Sequence, residues 1–146
     1  RIQEAKQNKT LAQLSIYNDG FATKTMRSLD APLFSIVAES SIDCKESISQ
    51  YDTLLISLFV PKAKPLNQFD IEPEVLEYLG ELLSTKDCIL YVFGNPYALQ
   101  VIPQLALAKE IVLAYQDFEV FQDVAAQHLN TILVCKGELP VYIKNL

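Results

Sequence analysis

Short continuous apolar runs alternate along the chain with stretches whose apolar residues recur every three or four positions, which is the pattern of a βαβ succession. The first expected strand spans Leu11 to Tyr17 and ends in the turn Asn18-Asp19-Gly20, with a helix continuing to about Leu29. A second strand is expected from Leu33 to Ala38, a short helix from Asp43 to Gln50, and a third strand from Thr53 to Val60. Leu54-Leu55-Ile56-Ser57-Leu58-Phe59-Val60 is almost unbroken in apolar residues, as befits a strand covered on both faces.

A polar, proline-containing loop from Pro61 to Phe69 precedes the clearest helix. Pro73 suits its first turn, and Val75, Leu76, Leu79, Leu82 and Leu83 fall on one stripe. The fourth strand, Cys88 to Phe93, runs into Gly94-Asn95-Pro96. Asparagine is a favoured helix cap and proline a favoured first helical residue, so a helix is expected to begin at Pro96. It should end before Pro103, where a helical proline would lose a hydrogen bond and clash with the preceding turn. The fifth strand is Ile111 to Tyr115. Asp117 then caps a last helix carrying Phe118, Phe121, Ala125 and Leu129, and residues 136–146 form an extended tail. Right-handed crossovers between such units imply an open three-layer α/β/α sandwich, flavodoxin-like, with a mostly parallel sheet of about five or six strands.

Composition narrows the function. At 146 residues, half of them hydrophobic, the chain suits one domain over residues 1–146, with residues 1–10 loose, and it needs neither disulfides nor metal to fold. The net charge is −6, and the one basic concentration, Arg1, Lys6 and Lys9, lies in that loose opening, which argues against nucleic acid. No apolar run is long enough to span a bilayer, so a soluble domain is expected. The chain opens on Arg1 and its only methionine is Met26, so its start is expected to reflect processing or excision from a longer protein.

Candidate chemistry is sparse. The turn Asn18-Asp19-Gly20-Phe21-Ala22 matches neither G-x-G-x-x-G nor G-x-x-x-x-G-K-[ST], and the chain holds four glycines, so a phosphate cradle is not expected. A flavodoxin would need a hydroxyl-rich loop there, and a phospho-acceptor receiver an aspartate ending strand three and a lysine ending strand five. The strands end instead in Phe59-Val60-Pro61 and Tyr115-Gln116. Cys44, Cys88 and Cys135 are widely spaced and His128 is the single histidine, so neither a zinc site nor a Ser-His-Asp triad is expected. Asp70, Glu72, Glu74 and Glu77 crowd one helix start, where carboxylate pairs could do acid–base work, but the helix dipole and water account for them more simply. No cofactor is expected.

Three local patterns nevertheless occur in an informative order. They are Cys88-Ile89-Leu90-Tyr91-Val92-Phe93-Gly94-Asn95-Pro96-Tyr97-Ala98-Leu99, then Ile111-Val112-Leu113-Ala114-Tyr115-Gln116-Asp117 with Gln122, Ala125, Ala126 and Gln127, then Lys136-Gly137-Glu138-Leu139-Pro140-Val141. With them, residues 51–141 resemble the C-terminal domain of family 3 glycoside hydrolases of the β-N-acetylhexosaminidase type. Where family members carry a glycine-containing segment before the tail, this chain has Leu129-Asn130-Thr131-Ile132-Leu133-Val134-Cys135.

The resemblance implies a bacterial parent that hydrolyses terminal β-linked N-acetylglucosamine by a retaining mechanism. Its catalytic residues would sit on an N-terminal (β/α)8 barrel outside this chain, in a cytoplasmic or periplasmic protein. The partner would be that barrel, with carbohydrate reached only through it. Gly94, Asn95, Pro96, Tyr97, Gln116 and Asp117 would face the barrel or edge its pocket, with no catalytic residue and no metal in this chain. The alternative is an independent flavodoxin-like module that binds a small molecule.

Overall fold

The computed structural model describes residues 10–18, 31–61 and 69–114. Within them the elements are β1 (Leu11–Ile16), β2 (Leu33–Ile36), α1 (Lys45–Ile48), β3 (Thr53–Phe59), α2 (Pro73–Thr85), β4 (Asp87–Phe93) and β5 (Glu110–Ala114). Two 3-10 helices, Pro96–Val101 and Leu105–Leu107, lie between β4 and β5. The five strands form one sheet in the order β2-β1-β3-β4-β5, and every neighbouring pair is parallel. This is an open α/β sandwich in which the direction of winding reverses between β1 and β3.

Strand alternation sends successive residues to opposite faces of the sheet. On one face Leu14, Ile56, Leu90 and Ile111 lie on one cross-strand row. They share a core with the predicted stripe of α2, in which Val75, Leu76, Leu79, Leu82 and Leu83 are all buried. Each such side chain contributes about 1.5–3 kcal/mol when removed from water. The opposite face carries Leu11, Leu55, Ile89, Tyr91, Phe93 and Val112, which are buried too. All seven residues of β3 are buried, so the central strand is covered on both sides, as its unbroken apolar run implied.

Local departures have local causes. β2 stops at Ile36 instead of Ala38 because Val37 is already 62% exposed and the chain turns there, with the Ser40 amide donating to the Val37 carbonyl and Glu39 at φ 61°. β1 ends at Ile16 because Tyr17 takes φ 76°. The expected helix at Pro96 is a 3-10 helix of six residues. Its last turn is closed by the Ile102 amide on the Leu99 carbonyl, one residue before Pro103. Pro103 also abuts α2, since a Cβ on Gly80 would lie 3.0 Å from the proline ring. The expected helices after Gly20 and from Asp117, the tail from Lys136, and Gln116, His128 and Cys135 lie outside the described residues.

Candidate functional site

Ligands and partners of open parallel sheets are met beyond the carboxyl ends of the strands, beside the reversal point. Here that edge is built by the exits of β1, β3 and β4 and by the N-terminus of α2.

At the β4 exit, Gly94 has φ 130°, and a Cβ on it would come within 2.8 Å of Val60 Cβ. Only glycine allows the exits of β3 and β4 to close up in this way, and the Val60 amide then donates to the Phe93 carbonyl at 2.9 Å. Below this contact the rings of Phe59 and Phe93 stack with centroids 4.4 Å apart and planes within 7°. Asn95 Oδ1 accepts from the Tyr97 amide at 2.9 Å and caps the 3-10 helix begun by Pro96. The result is a capped turn that leaves Tyr97 66% exposed at the sheet edge. Gly94, Asn95, Pro96 and Tyr97 are thus brought together as one turn, while Gln116 and Asp117 lie outside the described residues.

A second feature of the edge is invisible in the sequence. The left-handed backbone at Tyr17 carries its side chain onto the core face under α2, where the phenol oxygen accepts from the Glu72 amide at 3.0 Å. Glu72 is the residue that caps α2; its carbonyl accepts from the Leu76 amide at 3.0 Å. Its carboxylate in turn accepts from the Glu39 amide, at 3.3 and 3.2 Å to the two oxygens. Burial pushes the Tyr17 phenol up to about 12; the Glu72 amide pulls the other way, and the Glu72 carboxylate adds to the rise. No motif announces this cluster, because its members stand 55 and 33 residues apart.

An open groove beside β1 and β2 is lined by Ser15, Tyr17, Asn18, Ser35, Ile36 and Val37. Ser35, Ser15, Ser57 and Tyr91 form one cross-strand row. Within it the Ser15 hydroxyl donates to the Ser35 hydroxyl at 2.9 Å, and the Ser57 hydroxyl is buried without a hydrogen-bond partner.

The two described thiols, Cys44 and Cys88, are ill suited to nucleophilic work. Burial pushes Cys44 up and Cys88 up to about 12, and Cys88 Sγ donates to the Leu82 carbonyl at 3.4 Å. Among the described residues, no three His, Cys, Asp or Glu side chains converge as metal ligands, and no helix is long and apolar enough to cross a membrane. What the described edge offers is shape, hydroxyls and an exposed aromatic ring.

No protein-family model matches the chain, and no curated protein sequence matches it. Solved structures do. One is a fungal multi-domain GH3 β-N-acetylglucosaminidase, described as having a GCN5-related glucosamine N-acetyltransferase region. It is 13% identical with a TM-score of 0.62, over 93% of this chain and 16% of that one. Another is the β-glucoside phosphorylase BglX, 14% identical with a TM-score of 0.55, over 90% of this chain and 25% of that one. At such identities the likeness is one of fold: this chain has the open α/β sandwich that each of two much longer proteins contains in a fraction of its length.

Proposed function

We propose that the chain is a non-catalytic domain of a glycoside hydrolase resembling the family 3 β-N-acetylhexosaminidases, and that it packs on an N-terminal barrel which carries the catalysis. The observation that carries this reading is the fold likeness to carbohydrate-active proteins far longer than the chain, one of them a GH3 β-N-acetylglucosaminidase. The Phe93-Gly94-Asn95-Pro96-Tyr97 turn supports it, since this most specific part of the sequence resemblance forms a capped turn that leaves Tyr97 exposed at the carboxyl edge of the sheet. Asn95 and Pro96 build the turn, and Tyr97 is the side chain it presents to the barrel. Gln116 and Asp117, which lie outside the described residues, are included on the sequence resemblance alone. The parent's substrate is then a terminal β-linked N-acetylglucosamine, reached through the barrel.

The test is hydrolysis of a chromogenic β-N-acetylglucosaminide by this chain and by the polypeptide extended upstream through the same reading frame. Activity in the longer polypeptide alone is expected. Hydrolysis by the chain itself, or an upstream sequence that encodes no barrel, overturns the proposal. The groove lined by Ser15, Asn18 and Ser35 favours a second reading, a small-molecule module. That reading predicts a raised midpoint in a thermal-shift screen of the isolated chain with nucleotides, flavins and sugars.

A further inference from the structure

Among the described residues β2 has one strand neighbour, β1, so its other side is an open edge of the sheet. The Gln13 amide donates to the Pro32 carbonyl at 2.8 Å and the Tyr17 amide to the Ile36 carbonyl at 2.9 Å, which turns the even-numbered residues of β2 towards β1. Strand alternation then turns the N–H and C=O of Leu33 and Ser35, and the amide of Val37, away from the sheet. Natural edges are commonly blunted by charge, by an edge proline or by cover. Here residues 33–38 carry no charge, and Pro32, whose nitrogen faces β1, blocks no outward donor. Ser35 is exposed, Leu33 and Phe34 are half-buried, and Val37 is 62% exposed.

We propose that this edge pairs with the same edge of a second copy of the chain, antiparallel about a two-fold axis at Ser35, so that two sheets join into one. The pattern is self-complementary. Ser35 faces Ser35 of the second copy and exchanges both backbone hydrogen bonds with it. Leu33 faces Val37 of the second copy, whose amide donates to the Leu33 carbonyl, and the axis repeats that bond. The Val37 carbonyl is occupied by the Ser40 amide at 3.3 Å, so it adds nothing between the copies. Val37, exposed in the single chain, gains Leu33 as its cross-strand neighbour, and Phe34 meets Ile36 on the other face. Glu39 falls opposite Ala31, so no like charges oppose each other. A slip of one residue sets outward groups against inward ones, which fixes the register. About five residues a side is far fewer than the roughly 20–30 of a standard interface, so the association is weak and set by concentration. This inference does not depend on the proposed function.

The test is sedimentation velocity of the chain from micromolar to millimolar concentration, with hydrogen exchange read amide by amide over the same series. The mean mass should rise from the 16.4 kDa of one chain towards twice that value. Exchange at the Ser35 and Val37 amides should slow several-fold with concentration, while Phe34 and Ile36, which face β1, stay unchanged. Ser35→Lys and Ser35→Glu each set like charges directly across the two-fold axis and should each remain at the mass of one chain, whereas an equimolar mixture of the two should associate. The exchange readout on the unsubstituted chain decides the matter even if a variant fails to fold. A mass that stays at one chain up to millimolar concentration overturns the proposal, as does association that persists in either variant alone or does not return in the mixture. Protection of Ser35 and Val37 that is independent of concentration means that another part of the same chain covers the edge, and overturns it too.

Discussion

Gly94 is the residue on which the edge geometry turns. At φ 130°, with Val60 Cβ only 2.8 Å from the position of a Cβ, alanine meets both backbone strain and overpacking. Gly94→Ala should therefore lower stability by about 2–4 kcal/mol, measured by urea unfolding. Adding Val60→Ala should relieve the steric part only. Buried ionisable groups set a second expectation. Burial raises Cys88 from 9.0 to about 12, and Tyr17 and Tyr78 from 10.0 to about 12, and it raises Tyr91 as well. The folded state holds these protons more tightly than the unfolded one. Their stabilisation is thus complete below about pH 9 and is lost progressively as pH rises towards 12. Urea midpoints measured at neutral and alkaline pH should fall in that window, and thiol reagents should leave Cys88 unmodified until the chain unfolds.

Among elements, α2 ties one face of the sheet together, and Leu79, with no exposed surface, sits at the middle of its stripe. Leu79→Ala should cost about 2–5 kcal/mol in thermal or denaturant unfolding, whereas Glu77→Ala on the exposed side should change stability by about 0.5 kcal/mol or less. The elements best read from sequence are those with the strongest periodicity. The stripe of α2 and the apolar run of β3 each leave one way to bury their side chains, and both stand where expected. The ends were less legible. β2 loses two residues to a turn whose positive φ at Glu39 no glycine signalled, and the helix at Pro96 tightens to 3-10 before Pro103.

The whole molecule presents an edge on which Tyr97 stands exposed on a capped turn, and the two roles separate by mutation. Tyr97→Ala should leave the chain's own stability within about 0.5 kcal/mol, while Asn95→Ala, which loses the cap, should cost about 1 kcal/mol. In the longer polypeptide, Tyr97→Ala should weaken the docking of this chain on the barrel, seen as a separate, earlier unfolding step by calorimetry. A single transition identical to wild type would remove Tyr97 from the docking surface.

Among the described residues, the order of the strands and of α2 along the chain and the burial of their apolar positions were legible in the sequence by itself, because hydrophobic spacing and the positions of proline and glycine act locally. So was the Gly94–Tyr97 turn, since glycine, asparagine and proline each carry a backbone preference wherever they occur. Tertiary structure alone decided the strand order β2-β1-β3-β4-β5, the pairing of Gly94 with Val60, and the meeting of Tyr17, Glu39 and Glu72. These contacts join residues far apart in the chain, and neither partner's identity restricts the other until the sheet has brought their backbones together.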